Sequence, residues 1–338
     1  MRDNYWLHKN VLITGINGFI GGNVSKALIE KGANVFGLIR NLNKHTYLFF
    51  EELADNVVLI KGELNDKELM ARIISEDQIN VVFHLAAQVE VGIGMSNPYL
   101  TFETNIRGTY TLLEAVRLYP DRIEAVVVAS TDKVYGSYSK DKMPYKEDYP
   151  LIPKYPYDTS KACADMLSRT YASDIYNLPI TVTRFSNIYG PGQLNFSALI
   201  PDCIISALGN SKFIPRSDGS MIRDFLFVED VAELYLKISE KLAKEPETVS
   251  GEIFNAGTNS PISIREIIGK IYSLIGNNEE LQNVLRKMKG KKPVGEINCQ
   301  FMDYVKVKDY FNWEPKHSVD EGLLKSINWY KRYIEIKT

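Results

Sequence analysis

Short apolar runs alternate with amphipathic stretches along the first half of the chain. The runs are rich in β-branched residues, as in strands that are buried on both faces of a parallel sheet. Strands that alternate with helices form right-handed βαβ units, so the pattern predicts an α/β fold with a doubly wound parallel sheet. Strands are predicted at residues 11–14, 34–39, 57–60, 81–85, 123–129 and 179–184, and helices at 18–31, 66–75, 98–118 and 157–171.

The pattern becomes less regular in the second half. Residues 136–156 are rich in Tyr, Pro, Lys and Asp and are predicted to form a long loop over the sheet. Pro- and Gly-rich connections, two or three helices and short strands follow, including one predicted at 251–255. We therefore expect the sheet and the catalytic residues at 1–185 and a smaller mixed α/β substrate lobe at 186–338, with segments that return to the sheet.

Composition and charge narrow the classes of function. The 338 residues are 45% hydrophobic and 24% charged, which is ordinary for a globular protein. The 40 Lys and Arg against 42 Asp and Glu leave a net charge of −2, so we expect no nucleic-acid partner. The Lys-rich stretch 286–292 is predicted to be a solvated loop rather than an anion site.

The cysteines and the N-terminal residues indicate the cellular compartment. Cys163, Cys203 and Cys299 are widely spaced and form neither a metal-ligand pair nor a disulfide framework. The polar and aromatic start is unlike a signal peptide, and no apolar run reaches the about 18 residues of a membrane span. We therefore expect a cytoplasmic protein with no bound metal and no membrane partner.

A glycine-rich turn lies between the first predicted strand and the first helix, with the spacing G-x-x-G-x-x-G. Such glycines let the backbone turn tightly and let a pyrophosphate approach the helix N-terminus. Three glycines alone also fit a purely structural turn, but this position at the start of a βαβ series predicts a Rossmann-type dinucleotide site. The predicted contacts are Gly15, Asn17, Gly18, Phe19, Ile20 and Gly21.

The end of the second predicted strand bears on which dinucleotide binds. NAD-preferring folds place an acidic residue there for the ribose 2′-hydroxyl, whereas this strand ends at Arg40. A guanidinium suits a 2′-phosphate and favours NADP, although an exposed arginine without that role is the alternative. Glu63 and Leu64, after the third strand, are expected to bracket the adenine.

Seven segments together resemble the extended short-chain dehydrogenases/reductases that act on nucleotide sugars, over essentially the full chain. They are 14–21 (TGINGFIG), 84–88 (HLAAQ), 105–109 (NIRGT), 130–136 (STDKVYG), 157–161 (YDTSK), 184–192 (RFSNIYGPG) and 223–231 (RDFLFVEDV). The set is far more specific than any one member. The resemblance implies a tightly bound NAD or NADP that is recycled within each turnover.

Tyr157 and Lys161 form a Y-x-x-x-K pair on one helical face. A bare pair of this kind is often structural. The resemblance implies that Lys161 holds the nicotinamide ribose and lowers the pKa of Tyr157, which then takes the proton from the sugar 4-hydroxyl. It also implies that Thr131, with Ser130 beside it, hydrogen-bonds the same sugar oxygen.

The fourth strand and the long helix are expected to line the cofactor cleft. The resemblance places Asn105 near the cofactor, and a helix-interior asparagine bonded to backbone is the alternative. We expect His84 to be a structural histidine with both ring nitrogens bonded. The predicted cleft residues are Leu85, Ala86, Ala87, Gln88 and Asn105.

Asp132 and Lys133 follow directly after Thr131. In the resembling enzymes, 4-epimerases carry small or neutral residues there, whereas 4,6-dehydratases carry ionisable ones. Two adjacent groups with separated pKa values suit the removal of a C5 proton and of the 6-hydroxyl as water. We expect Asp132 to act as the acid and Lys133 as the C5 base, and a polar strand-end loop is the alternative.

An Asp–Lys pair resembles the CDP-glucose 4,6-dehydratases, as do segments 160–164 (SKACA) and 311–315 (FNWEP). It also resembles the UDP-N-acetylglucosamine dehydratases that invert C5. Two features depart from the CDP-glucose branch: Arg40, which resembles the NADP-using GDP-mannose dehydratases, and the lack of a basic residue in 89–94.

The resemblance also assigns residues of the smaller lobe to a nucleotide diphosphate sugar. Asn187 is expected to contact the diphosphate and Arg223 to neutralise it, since a guanidinium binds phosphate bidentately. A structural pairing of Arg223 with Asp224 or Asp230 is the alternative. Leu199 is expected to border the nucleotide.

The leading hypothesis is a nucleotide-sugar 4,6-dehydratase, with CDP-glucose favoured. A 4-epimerase or reductase of the same family is the second hypothesis, and a non-catalytic NADP-sensing protein is the third. The resemblance further implies a homodimer that pairs through a four-helix bundle of the helices carrying Asn105 and Tyr157.

Overall fold

The central feature of the computed structural model, which describes residues 4–291 and 297–337, is a seven-stranded parallel sheet. Its order is β10-β6-β5-β4-β1-β2-β3, which reverses direction at β1, as in a doubly wound fold. The predicted α/β fold is therefore observed. The strands are β1 (Asn10–Thr14), β2 (Asn34–Ile39), β3 (Val57–Lys61), β4 (Val81–His84), β5 (Ala125–Ala129), β6 (Ile180–Phe185), β7 (Asn187–Tyr189), β8 (Ile222–Arg223), β9 (Phe225–Phe227), β10 (Ile253–Ala256), β11 (Ile262–Ser263) and β12 (Cys299–Gln300).

Helices cover both faces of this sheet. On β1, Val11 and Ile13 pack with Val24 and Val231 on one face, while Leu12 packs with Leu112 on the other. Successive side chains of a strand point to opposite faces, so a continuous apolar run is what a doubly covered sheet requires. The helices are α1 (Phe19–Glu30), α2 (Tyr47–Phe50), α3 (Lys67–Glu76), α4 (Val91–Ser96), α5 (Pro98–Phe102), α6 (Gly108–Arg117), α7 (Pro156–Ala172), α8 (Leu199–Ala207), α9 (Val228–Lys244), α10 (Pro246–Val249), α11 (Ile264–Ile275), α12 (Asn278–Met288), α13 (Val305–Phe311) and α14 (Val319–Lys337).

The helix predicted over 98–118 contains an irregularity. Between α5 and α6, residues Glu103–Arg107 form a π-helical turn, so one extra residue is accommodated without ending the helix. Asn105 lies in this turn and is buried. Such bulges occur often at functional sites because they redirect a side chain.

The second half of the chain both forms a lobe and returns to the sheet. Strand β10 pairs with β6 at the sheet edge. The lobe packs α8, α11, α12 and α14 around its own apolar core. It also carries the small sheets β11-β8-β12 and β7-β9.

The solvated loop predicted at residues 286–292 is wrong in part. Residues 286–288 belong to the last turn of α12, where Met288 is buried in the core of the lobe. The prediction was misled by the lysines, which lie on the exposed face of an amphipathic helix whose opposite face carries the buried Met288. Lys291 is exposed and follows the helix, and Lys292 lies outside the described residues. No helix in the described part of the chain is long and apolar enough to cross a membrane.

Candidate active site

The glycine-rich turn lies where β1 ends, beside the end of β4. Gly15 has φ +80°, and a Cβ atom there would lie 2.8 Å from the backbone N of Ala86, so only glycine fits. Gly18 precedes α1, and no side chain caps the first N–H groups of that helix. The site therefore has the backbone donors that a pyrophosphate needs.

The remaining predicted cofactor residues fit a dinucleotide in part. The Oδ1 atom of Asn17 is buried and has no hydrogen-bond partner among the described residues, as expected of an acceptor whose partner is a ligand. Arg40 and Glu63 are exposed after β2 and β3. Leu64 is buried against Gly108 rather than facing open space. Phe19, Ile20, Leu85, Ala86 and Ala87 are half-buried around the same cleft.

The predicted catalytic cluster lies at the carboxyl end of β5. The Thr131 hydroxyl donates to Oδ1 of Asp132 at 3.1 Å and accepts from the Lys133 N–H at 3.4 Å. Ser130 Oγ and Asp132 Oδ2 are buried without a partner among the described residues. Burial raises the pKa of Asp132, and the charges of Lys133 and Arg223 oppose this. A buried carboxyl group with a raised pKa and an unpartnered oxygen is suited to donate a proton.

Helix α7 brings Tyr157 and Lys161 to this cluster. Pro156 at the first helical position fixes the start of the helix, so Tyr157 lies in the first turn and Lys161 one turn later. The hydroxyls of Tyr157 and Thr131 are hydrogen-bonded. Burial lowers the pKa of the Lys161 ammonium to about 8, partly offset by Asp165.

The pKa of Tyr157 differs from the expectation. Burial raises it, and the carboxylates of Asp132 and Asp158 raise it further, while the bond to Thr131 opposes them. Lys161 was expected to lower this pKa, but its ammonium is not among these influences in the protein by itself. Tyr157 is thus a neutral phenol in the protein by itself, and it can take a proton only after its pKa has been lowered.

A second carboxyl group, beside that of Asp132, adjoins the cluster and was not predicted. Asp158 is buried next to Tyr157, and burial raises its pKa to about 6, with Lys133 lowering it and Asp132 raising it. Sequence adjacency to Tyr157 was the available signal. Lys133 therefore lies between two carboxyl groups.

A buried ion pair supports α7 from below and was also missed. Arg184 on β6 donates from Nε to Oδ2 of Asp165 at 2.7 Å and from Nη2 to Oδ1 at 3.0 Å. Its Nη1 donates to the hydroxyl of Tyr135 at 2.9 Å, which in turn donates to Asn255 on β10. The helix carrying Lys161 is thus tied to two strands of the sheet.

Asn105 spans the gap between the cofactor cleft and α7. Its Oδ1 accepts from the Gln88 N–H at 2.7 Å, while its Nδ2 donates to the Gln88 carbonyl at 3.0 Å and to Ser160 Oγ at 2.8 Å. The Ser160 hydroxyl donates to the carbonyl of Tyr157. Asn105 therefore matches the alternative of an asparagine bonded to backbone, and it positions Gln88 and Tyr157.

His84 has the structural role that was expected. Its Nδ1 and Nε2 lie 2.8 Å from the Thr14 hydroxyl and 2.9 Å from the Thr109 hydroxyl. Burial lowers its pKa to about 3, with the charge of Lys161 adding to this, so the ring is neutral.

The predicted substrate residues lie on the lobe side. Nδ2 of Asn187 donates to the Asp224 carbonyl at 3.2 Å, and Leu199 lines a cavity. Arg223 is 8% exposed, and its Nη1 donates to the Ile222 carbonyl at 2.8 Å. The two acids of the alternative have other partners: Asp224 accepts from Thr258, and Asp230 accepts from His317. Among the described residues, no cluster of His, Cys, Asp and Glu is arranged to hold a metal.

A phosphate-accepting glycine turn beside a Thr–Tyr–Lys set at the ends of parallel strands defines an enzyme of the short-chain dehydrogenase/reductase type. The sequence profile of the GDP-mannose 4,6 dehydratase family matches residues 12–326, and the chain belongs to this family. The predictions of a nicotinamide-dependent hydro-lyase family and of its fold are therefore confirmed.

Known relatives give the same result. The chain is 33% identical to a dTDP-glucose 4,6-dehydratase of Xanthomonas campestris, over 94% of this chain and 92% of that one. It is similar to the crystal structure of dTDP-glucose 4,6-dehydratase from Bacillus anthracis in complex with NAD, with a TM-score of 0.81, 32% identity and coverage of 97% and 98%. It is also similar to UDP-glucose 4-epimerase of Thermotoga maritima with UDP-glucose, with a TM-score of 0.81, 29% identity and coverage of 96% and 99%.

Proposed function

We propose that this protein is a nucleotide-sugar 4,6-dehydratase that converts an NDP-hexose, with CDP-glucose favoured, to the NDP-4-keto-6-deoxyhexose. The observation that carries the proposal is the position of Asp132 and Lys133 beside the hydrogen-bonded Thr131 and Tyr157. An epimerase needs no acid and base for the loss of water, whereas a dehydratase needs both.

Each residue has a role that its surroundings support. Tyr157 takes the proton of the 4-hydroxyl, with Thr131 bonded to the same oxygen and Lys161 supplying positive charge. A nicotinamide cofactor held in this cleft would supply the hydride acceptor for C4 and the hydride donor for C6. Lys133 removes the proton from C5, which the C4 ketone has made acidic, and gives it back to C5 when hydride is added at C6. Asp132 gives its proton to the leaving 6-hydroxyl, and water departs.

The buried position of Asp132 suits the acid role because burial raises the pKa of its carboxyl group and so favours the protonated form. Lys133 must be neutral to act as base. Arg223 and Asn187 are proposed to bind the diphosphate, Ser130 the hexose and Leu199 the nucleotide.

The identity of the cofactor is part of the proposal. We assign Gly15, Asn17 and Gly18 to the pyrophosphate, Glu63 to the adenine side and Arg40 to the adenosine ribose, where it favours a 2′-phosphate. The nucleotide released from denatured protein, identified by mass, tests this. NADP supports the role of Arg40, and NAD contradicts it.

A homodimer through a four-helix bundle is proposed for the intact enzyme. Large apolar side chains are exposed on the helices that relatives of this fold would pair: Tyr99 is 72% exposed, Tyr110 40% and Met166 59%. Exposed apolar groups on adjoining helices favour burial against a second copy. Analytical ultracentrifugation tests this. The wild type is expected to sediment as a dimer and Tyr110→Arg as a monomer.

The second candidate is a 4-epimerase, which the similarity to UDP-glucose 4-epimerase favours. Incubation with CDP-, UDP-, GDP- and dTDP-hexoses, followed by mass spectrometry, separates the two. A product lighter by one water supports the dehydratase. A product of unchanged mass with inverted C4 contradicts it, and the absence of turnover of every sugar favours a non-catalytic nucleotide-sensing protein.

A further inference from the structure

A short loop of the lobe, residues 190–193, meets the half of the chain that carries the glycine-rich turn. It directly follows β7, the strand on which Asn187 lies. Three helices contact it from different sides: α1 and α2, which follow the first two strands of the large sheet, and α14 of the lobe. We call residues 190–193 the joint loop.

Asn23 makes the contact from α1. Its Nδ2 atom donates to the carbonyl of Phe19, one turn earlier in the same helix, and to the carbonyl of Pro191 in the joint loop, both at 3.0 Å. A carbonyl oxygen only accepts, so both hydrogens of the amide are in use, and the residue is buried. Asn23 lies two residues after Gly21, the last glycine of the turn. One side chain therefore joins the glycine-rich turn to the joint loop.

Aromatic side chains hold the same loop from two other sides. Tyr47 on α2 is buried, and its ring fills the space beside Gly192, where a Cβ atom would lie 2.4 Å from it. Tyr330 on α14 donates to the carbonyl of Gln193. Trp329, next to Tyr330, packs on the Tyr47 ring at a centroid distance of 6.0 Å. The joint loop therefore cannot shift relative to α1 without breaking these contacts.

The position of the joint loop sets the position of Asn187. Strand β7 has only three residues, Asn187–Tyr189, and the loop begins at the next one. At the start of the strand, the N–H and the Nδ2 atom of Asn187 both donate to the Asp224 carbonyl at 3.2 Å. The lobe thus fixes where the strand begins, and the bond from Asn23 fixes where it ends relative to the glycine-rich turn.

We propose that Asn23 is a positioning residue for the nucleotide sugar, because through the Pro191 carbonyl it holds Asn187 at the distance from the dinucleotide site at which the hexose diphosphate binds. This inference rests on the proposed function, since it assumes that Asn187 contacts the diphosphate. A strand that is placed before the substrate arrives does not have to be ordered at the expense of binding free energy.

The test replaces Asn23 by serine. A serine in a helix donates to the carbonyl four residues earlier, as Ser25 does to Gly21 at 2.7 Å. Asn23→Ser therefore keeps the bond within α1 and loses only the bond to the joint loop. KM for the nucleotide sugar is expected to rise about three- to tenfold, as the loss of one hydrogen bond provides. We expect kcat to stay within about twofold, because the bond supports the ground state and the transition state equally.

The assay uses whichever of the CDP-, UDP-, GDP- and dTDP-hexoses the wild type turns over, with the dinucleotide that the protein retains on purification. Ser25→Ala removes a buried hydrogen bond within the same helix and should leave KM unchanged. Tyr47→Leu loosens the joint loop from the side of α2 and should raise KM as Asn23→Ser does. It decides the question if Asn23→Ser does not fold, as judged by circular dichroism.

The outcomes separate this inference from the proposed function. An unchanged KM in Asn23→Ser, or a fall in kcat alone, overturns the role of Asn23 and leaves the dehydratase proposal standing. A product of unchanged mass overturns the dehydratase proposal, while the change in KM still decides the role of Asn23. No turnover of any of the four sugars by the wild type overturns both.

Discussion

Arg184 and Asp165 form a bidentate ion pair that is almost wholly buried, with the two side chains 1% and 0% exposed. Asp165 lies four residues after Lys161 on α7, on the same face of the helix. The pair therefore joins the catalytic helix to β6 and places a negative charge one turn below the Lys161 ammonium.

Removal of one partner of this pair should destabilise the fold strongly. Arg184→Met leaves the Asp165 carboxylate buried without its partner, and we expect a loss of about 3–5 kcal/mol in the free energy of unfolding. Urea titration followed by circular dichroism measures this. Lys244→Met breaks an exposed pair with Glu240 and should cost less than about 1 kcal/mol. A similar cost for both variants would contradict the role of burial.

The charge of Lys161 should appear in the pH dependence of turnover. Its pKa is about 8, so the ammonium loses its proton as the pH rises through 8, and kcat should fall over that range. Asp165 raises the pKa of Lys161, so Asp165→Asn should move this fall to lower pH. The pH profile of kcat measures it, with Asp309→Asn, at an exposed site on α13, as the matched control. A profile that Asp165→Asn leaves in place would refute the coupling.

Lys133→Ala should separate the two halves of the proposed reaction. Oxidation at C4 depends on Tyr157 and Lys161, whereas proton removal at C5 depends on Lys133. In this variant, absorbance at 340 nm should still show reduced cofactor after substrate is added, while mass spectrometry should show no loss of water. Lys142→Ala, an exposed lysine on the same loop, is expected to dehydrate normally. Full dehydration by Lys133→Ala would exclude its role as base.

Acidification should destabilise the protein through His84. Its pKa is about 3 when folded against 6.5 for an ordinary histidine, so between these values the unfolded chain binds one more proton. His84 alone should therefore remove up to about 1.4 kcal/mol per pH unit as the pH falls from 6.5 toward 3. Urea titrations at three pH values measure the slope. The free energy of unfolding should depend less steeply on pH in His84→Asn than in the wild type. The exposed control His45→Gln should have the slope of the wild type. Equal slopes in all three proteins would contradict the prediction.

The sheet was largely predictable because its strands are continuous apolar runs. Strands β1 to β6 begin and end within about two residues of the predicted positions, since a strand covered on both faces leaves a strong apolar signal. The π-helical turn at Asn105 was not predictable, because the apolar period of a helix does not record one extra residue. The position of β10 at the edge of the sheet was not predictable either, because it depends on tertiary packing.

Of the candidate site, the segments were predictable and several of their contacts were not. Thr131 and Tyr157 lie together because β5 ends and α7 begins at the same edge of the sheet, and Lys161 follows one turn later on α7. Asp165 and Arg184 lie on different elements, and nothing local indicates that their charges pair.

The edge strand β10 has a consequence for attempts to divide the chain. A fragment that ends near residue 185 would keep every glycine-turn and catalytic residue, yet β6 would lose its neighbour and present a row of open backbone N–H and C=O groups. Tyr135 would also lose Asn255, the acceptor that orients its hydroxyl toward Arg184. Such a fragment is expected to self-associate along that edge, so the two halves are one cooperative unit of folding even though they bind different ligands.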